Sequence, residues 1–456
     1  MGPIRKNQLL LSLALSFLVI LSSPRYTIAL RGLATPRPMK ESPQMETTAM
    51  GATNSGGDES GHDPVQRVVI AGAGVIGIST AYYLAKDFGV ATTLIDPTGT
   101  IAPAASGKAG GFLALDWNDH SPALGPLTRR SFELHQELSD GLGAEKIQYR
   151  RLECVAIPVG DESSNQRRRP SGRKLEGIEW AEGENTMGDA SLLGDRSTIA
   201  QVHPKKLCEA MWEHVQTLAP ESKLVRGKVV SALYDDDDDK GASPSAVGVQ
   251  LEDESVVRGD ALLYACGPWT ANNMYGTKYH SLVVPTTKTL NQCVFFSGAG
   301  DPEVYVRNDS TAYCTGFPDP PIQVTEQPGE EEVRQDAIDK IRTSVETASS
   351  FCDDNSVNYL VFSDDDEDQA KTLKQACYLP STVDGIPMMG KVPGKDRPKT
   401  YVSAGHTCWG ILMGPASGEA MAHEIVTGKS PHVNLRLFSP ERFGGSLKMV
   451  PPAIEQ

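Results

Sequence analysis

Gly72, Gly74 and Gly77, in the run Gly72-Ala73-Gly74-Val75-Ile76-Gly77, stand with Asp96, 19 residues beyond the last of them, as the residues best suited to hold a dinucleotide. A first glycine permits a tight turn, a second lets a pyrophosphate approach the backbone, and a third lets a helix lie close against a strand. The helix opening at Val75 and Ile76 would turn its free N–H groups and positive dipole end toward the phosphates. Asp96, closing the next strand, is placed to accept hydrogen bonds from a ribose. This unit alone suits FAD and NAD equally. A second small-residue loop, Ala105-Ser106-Gly107-Lys108-Ala109-Gly110-Gly111, follows the acid-bearing strand and offers backbone donors along a longer diphosphate and a flavin ring. NAD folds do not need such a loop, so it turns the reading to FAD.

The elements that must position these residues are legible from periodicity. Residues 67–71 form a β-branched run, residues 75–86 carry apolar side chains at helical spacing until Gly89, and residues 90–95 make the next strand, giving a βαβ unit. Residues 126–138 and 205–218 predict amphipathic helices, and residues 149–159 predict a strand opening a different, antiparallel sheet. Residues 228–233 and 246–251 also read as strands, and residues 261–266 as a buried parallel one. Strands at 289–297, 304–307 and 312–317 follow, then a strand at 400–404, a loop at 405–414 and a helix starting at Pro415. The expected fold class is α/β: a Rossmann-type FAD-binding domain with a parallel sheet, formed by residues 65–145, 200–275 and 385–445. Residues 146–199 and 276–384 would make an interleaved antiparallel-sheet substrate domain.

The formal net charge of −15 argues against nucleic acid as a partner, because the first 64 residues hold six Lys/Arg against five Asp/Glu and the acidity lies beyond them. Arg5 and Lys6 precede the apolar residues 9–21 and then Ser22, Ser23 and Pro24, so residues 1–29 have the layout of a secretory signal peptide. Thirteen residues at about 1.5 Å each fall short of the ~30 Å hydrocarbon core, so no stable membrane span is expected. Residues 30–64 read as a disordered linker or a second targeting segment, which would give a secreted, endomembrane or plastid destination reached by a bipartite signal. The eight cysteines contain no C-x-x-C pair, and no metal is expected. The arginines at 167–169 and the acidic runs 235–239 and 364–368 read as solvated loops.

The order of segments 69–77, 105–111, 149–159, 203–211, 265–269 and 404–418, with the closing residues 438–443, resembles the D-amino-acid oxidase, glycine oxidase and sarcosine oxidase superfamily of FAD-dependent oxidoreductases, and within it a eukaryotic branch. The resemblance implies that Gly72, Gly74, Gly77 and Asp96 hold the ADP half, and that Ser106, Lys108, Ala109 and Gly110 lie along the pyrophosphate and flavin. It implies Val229 at the adenine, Gly267 and Trp269 bordering the cofactor, and Gly405, His406, Gly410, Ile411, Met413 and Gly414 at the flavin ring. A helix pointing its positive end at the ring would stabilise the anionic reduced flavin.

Cys377 matches the position that links the flavin covalently in sarcosine-oxidase relatives, and is read either as such a link or as a buried cysteine beside a noncovalent flavin. Leu379 matches the arginine that clamps the substrate carboxylate in glycine-oxidase relatives. Without that clamp a carboxylate in an apolar pocket is costly to bury, so a larger amine or a substrate with its acid elsewhere fits better. Arg307, on a strand leading to a turn, is read either as a replacement for the clamp or as a surface residue, Tyr305 and Tyr313 either cover the substrate or pack, Lys108 is a polar candidate beside the flavin, and His406 either serves the flavin or substrate or is structural. The expected activity is oxidation of a C–N bond in an amine or amino-acid-like small molecule, with oxygen as acceptor. Two alternatives stand beside it: a dehydrogenase using another acceptor, and a flavin-stabilised assembly or trafficking factor without turnover.

Overall fold

The structure, a computed structural model, describes residues 65–449 except 161–179, 181–189, 235–246, 323, 351–358, 364–370 and 396. The signal-like segment, the linker after it, the arginines at 167–169 and both acidic runs lie outside the described residues.

A six-stranded sheet runs in the order Met388–Lys391, Thr400–Ala404, Ala261–Tyr264, Arg67–Ala71, Ala91–Asp96, Lys223–Arg226. All neighbours are parallel except Met388–Lys391, which pairs antiparallel with Thr400–Ala404 at one edge. Its central strands read as unbroken apolar runs because both faces are covered. Val68 and Ile70 point into a core shared with four helices, Val75–Phe88, Leu124–Leu142, Pro204–Leu218 and Gly410–Thr427. Val69 and Ala71 point the other way, onto a three-stranded antiparallel sheet of Val229–Tyr234, Val247–Leu251 and Val256–Gly259. Helix Val75–Phe88 ends where Gly89 adopts φ 65°, its N–H returning to the Ala85 and Leu84 carbonyls. No helix among the described residues is long and apolar enough to cross a membrane.

Helix Gly410–Thr427 begins five residues before the proline that the sequence reading took as its start. Pro415 has no N–H to give the carbonyl of Ile411 one turn earlier, a defect that ordinarily stops a helix. Here helix Leu124–Leu142 repairs it: His135 Nε2 lies 2.9 Å from the Ile411 carbonyl, and Ser131 Oγ accepts the Ala416 N–H at 3.1 Å. His135 is wholly buried, and desolvation drives its imidazole down to about 4, so it donates as the neutral ring. Glycine lets this helix sit directly on Val75–Phe88: a Cβ on Gly418 would lie 2.4 Å from the Ser79 backbone, and one on Gly414 2.8 Å from Val75. Arg130 then ties helix Leu124–Leu142 to it through both oxygens of buried Glu419, at 3.0 and 2.7 Å.

A seven-stranded sheet takes Leu373–Thr382, Met274–Pro285, Thr311–Thr315, Glu303–Val306, Gln292–Ser297, Glu153–Pro158 and Ser191–Gly194 in that order. It is antiparallel apart from one parallel pair, Gln292–Ser297 with Glu153–Pro158. The strand expected over 149–159 is broken in two, since Arg150–Arg151 leaves to pair with Ile199–Gln201 in a small separate sheet that also takes Phe112–Ala114. Helix Gln335–Ser350, not anticipated from sequence, buries Ile338, Ile341 and Val345 at helical spacing.

Candidate functional site

The glycine turn is built as its residue types require. Gly72 has φ +106°, and a Cβ there would meet the Ala265 carbonyl oxygen of the neighbouring strand at 2.4 Å. A Cβ on Gly77 would meet the Gly72 carbonyl oxygen at 2.1 Å, so this glycine sets how closely helix Val75–Phe88 approaches the strand. Asp96 holds the turn from below: one oxygen accepts the Ala73 N–H at 3.2 Å, the other the Thr98 N–H at 3.0 Å and hydroxyl at 2.7 Å. Burial raises its carboxyl above the usual range in spite of these bonds. The helix N-cap, Gly74, contributes no side chain, and the Ser106 hydroxyl accepts the Val75 N–H at 2.9 Å. Ser106 belongs to the short helix Ala105–Lys108, which thereby folds the second small-residue loop over the turn.

A cleft of about 390 Å³ opens from this turn. Its walls take Gly72, Gly74, Val75 and Ile76 from the turn and helix, Asp96 from the next strand and, from the three-stranded sheet, Val229. Ser106, Ala109, Gly267 and Trp269 line it too. Gly405, His406, Gly410 and Ile411 come to it from the C-terminal segment, and Leu379 from the seven-stranded sheet. Glu326, Gln327 and Pro328 add a wall that sequence reasoning missed; Lys228 pairs with Glu326 at 2.5 Å and Trp269 Nε1 donates to the Thr325 carbonyl at 2.7 Å.

Six of the residues expected at the cofactor do not line this cleft. Gly77 lies behind the turn, and Met413 and Gly414 are rotated into the packing against Val75–Phe88, because a helix shows only part of its first turn to the cleft ahead of it. Gly110 packs instead under the rings of Tyr305 and Tyr313, where a Cβ would come within 2.2 Å of the former. Cys377 is buried opposite Tyr279 on strand Leu373–Thr382, and burial pushes its thiol up to about 12. Lys108 Nζ is held by the Ala376 carbonyl at 2.9 Å and by Glu331 at 3.1 Å, a carboxylate whose side chain is fully buried and which also accepts the Gly329 N–H. Replacing Lys108 with methionine strands that charge. The expected cost is about 2–4 kcal/mol, toward the lower side for a broken buried pair because Lys108 is partly exposed. A lower denaturant midpoint for Lys108→Met, largely restored by adding Glu331→Gln, would bear this out; an unchanged midpoint would refute it.

His406 is buried with Nε2 2.9 Å from the Ser417 hydroxyl and Nδ1 without a partner among the described residues. Desolvation pushes its imidazole down to about 3, so it is neutral near neutral pH and serves the site as a hydrogen-bonding group rather than a cation. Arg307 is buried as well: its Nη2 donates to the Ala109 carbonyl at 2.8 Å and its guanidinium lies 5.8 Å from the Tyr313 ring centre. It thus fixes the loop that borders the cleft.

Next to the cleft-lining Cys408 stands an aromatic cluster, the wall of a candidate chamber. Phe295 pairs with Glu303 and Tyr305 with Tyr313 across strands of the seven-stranded sheet, so all four side chains share one face. Phe112 stacks on Tyr305 with ring centres 5.3 Å apart, and Trp117 lies 5.2 Å from Phe112 and 5.5 Å from Phe295. Trp409, next to the cleft-lining Cys408, closes the cluster 6.4 Å from Trp117. The Tyr305 hydroxyl donates to Glu303, and burial raises that carboxyl to about 6. Glu303, Phe112 and Trp117 escaped the sequence reading; the alternation Glu303-Val304-Tyr305-Val306-Arg307 was the available signal that an acid shared the face of two already suspect residues.

The DAO family, described as FAD dependent oxidoreductase, matches residues 67–424. A Schizosaccharomyces pombe protein, whose name assigns it provisionally as an oxidoreductase, is 31% identical over 84% of this chain and 99% of its own length. Glycine oxidase of Pseudomonas aeruginosa is 24% identical over 82% of this chain and 98% of its own. Among solved structures, glycine oxidase from Geobacillus kaustophilus superposes with a TM-score of 0.63 at 19% identity, covering 82% of this chain and 98% of that one, a likeness of fold.

Proposed function

Since the chain belongs to the DAO family of FAD-dependent oxidoreductases, matched over residues 67–424, we propose that it oxidises a carbon–nitrogen bond of an amine or amino-acid-like small molecule and passes the electrons to oxygen. The residues present fit FAD: Gly72 and Gly77 leave no room for a Cβ, the N-cap of helix Val75–Phe88 is a glycine that puts no side chain of its own over the helix N-terminus, and Asp96 closes the adjoining strand. Gly72, Gly74, Val75, Ile76 and Asp96 would hold the ADP half, Val229 the adenine, and Ser106 and Ala109 the middle of the molecule. Gly405, His406, Gly410 and Ile411 would stand at the ring, with the N-terminus of helix Gly410–Thr427 supplying positive potential. FAD bound there supplies the two-electron acceptor.

The observation that carries the reading is that the aromatic cluster stands next to the cleft, since its member Trp409 directly follows the cleft-lining Cys408, which puts rings able to shelter a small molecule beside the proposed cofactor site. Oxidation of H–C–N–H to C=N releases two electrons and two protons; oxygen takes these up as hydrogen peroxide, and water splits the imine into carbonyl and amine. Arg307 keeps Ala109 in place, and the neutral His406, braced by Ser417, orients without adding charge.

Anaerobic mixing of the purified holoenzyme with a panel of primary, secondary and tertiary amines and amino acids tests the oxidation. At least one is expected to bleach the visible flavin absorbance, and air to restore it with stoichiometric peroxide. Bleaching that air fails to reverse would exclude oxygen as acceptor, and no bleaching across the panel would overturn the oxidation itself. Acid precipitation of the same protein decides the role of Cys377: colour in the pellet supports a covalent link, colour in the supernatant rules it out.

A further inference from the structure

Glu303 is a carboxylate without a counter-charge. Among the described residues no cation pairs with it, and its one hydrogen bond comes from the Tyr305 hydroxyl. The cations that could have served are engaged elsewhere: Arg307 on the Ala109 carbonyl beside Tyr313, and Lys108 on Glu331 and the Ala376 carbonyl. Yet the residue is only partly buried, on the sheet face that also carries Phe295 and Tyr305, whose rings cluster with Phe112 and Trp117. A carboxylate set among apolar groups is expensive unless something positive comes to it. Ring faces attract cations as well, tryptophan and tyrosine most strongly. An acid and an aromatic wall together therefore favour a positive ligand and disfavour a negative one, and Leu379 adds only apolar surface where the cleft meets the sheet.

We propose that the chamber selects a cationic amine with no carboxylate beside its nitrogen, the Glu303 carboxylate supplying the counter-charge and Phe112, Trp117, Phe295 and Tyr305 enclosing the alkyl or aryl groups. The proposal rests on the amine-oxidation reading above and narrows its substrate class. Tyr305 has a positioning role, fixing the carboxylate so that its remaining lone pairs face the ligand.

The test uses two rings of similar size and opposite charge, benzyltrimethylammonium and benzoate, titrated into the holoenzyme while the visible flavin spectrum and tryptophan fluorescence are followed. The quaternary ion cannot form an imine, so binding is read without turnover. Benzyltrimethylammonium is expected to bind at least about tenfold tighter than benzoate, and Glu303→Gln to weaken it by about tenfold while FAD content holds. Benzoate binding as tightly as the cation in the unmodified protein would overturn the proposal, as would a folded, flavin-loaded Glu303→Gln that binds the cation unchanged. The comparison in the unmodified protein decides even if the variant does not fold. Cation binding with no bleaching by any amine would leave this inference standing and defeat the oxidation reading. Bleaching by α-amino acids with benzoate as competitor would do the reverse.

Discussion

Gly77→Ala is expected to yield a protein that purifies without flavin. The new methyl group would sit 2.1 Å from the Gly72 carbonyl oxygen and 3.1 Å from Ile70, and the first of these is backbone that cannot rotate away. Helix Val75–Phe88 must therefore lift from the strand, carrying with it the N–H groups proposed to meet the pyrophosphate. Overpacking of this kind costs about 1–3 kcal/mol, and a loss near the upper value is roughly a hundredfold in FAD affinity. Titration of apoprotein with FAD, followed by flavin fluorescence, measures it. Gly141→Ala is the control: it lies in helix Leu124–Leu142 with nothing within 4 Å of the added carbon, and should retain full cofactor. Stoichiometric FAD in Gly77→Ala at wild-type affinity would refute the assigned role of this glycine.

The largest expected loss of stability follows from Arg130→Ala. Its guanidinium clamps Glu419, whose side chain is only 8% exposed, and also reaches Glu137 at 3.2 Å and Glu133 at 3.5 Å. Without it three carboxylates converge with no neutralising partner, and the most buried must either stay charged or take up a proton. Breaking such a pair costs about 3–5 kcal/mol, with the lower part of that range expected because Arg130 is itself a quarter exposed. Chemical denaturation reads the change directly. The double variant Arg130→Met/Glu419→Leu should recover most of it, since two apolar groups need no compensation. A double variant no better than the single would show that the packing of the arginine stem, not the charge, carries the contact.

The glycine turn proposed to hold the ADP half was the most legible part of the sequence because its geometry is local. Gly72, Gly77 and Asp96 are fixed by turn geometry and backbone approach, which one strand, one turn and one helix specify together. The fold class followed from the same logic, unbroken apolar strands alternating with amphipathic helices. Helix Gly410–Thr427 was misjudged at its start because Pro415 looked like an N-terminal residue, and its real support comes from Ser131 and His135, more than 270 residues earlier. The chamber was harder still. Phe112, Trp117, Phe295, Glu303 and Trp409 come from four separate stretches of chain, and only the strand pairing of Phe295 with Glu303 brings an acid among the rings. Lys108 was read from the sequence as a polar group beside the flavin, but it does not line the cleft; its partner Glu331 lies in a segment without periodicity, so nothing in the sequence marked the lysine as already engaged.

The bond between His135 and the Ile411 carbonyl spans 276 residues of chain. A helix interrupted by proline and mended from outside has little tendency to form alone, so the C-terminal helix must wait for the N-terminal one to be in place before it can close. Synthesis follows the same order: helix Leu124–Leu142 emerges early and carries a histidine and a serine whose partners do not yet exist. The nascent chain therefore holds an unfinished surface through most of its translation, and completion of the parallel sheet, cofactor capture and burial of that surface should arrive as one late, cooperative event.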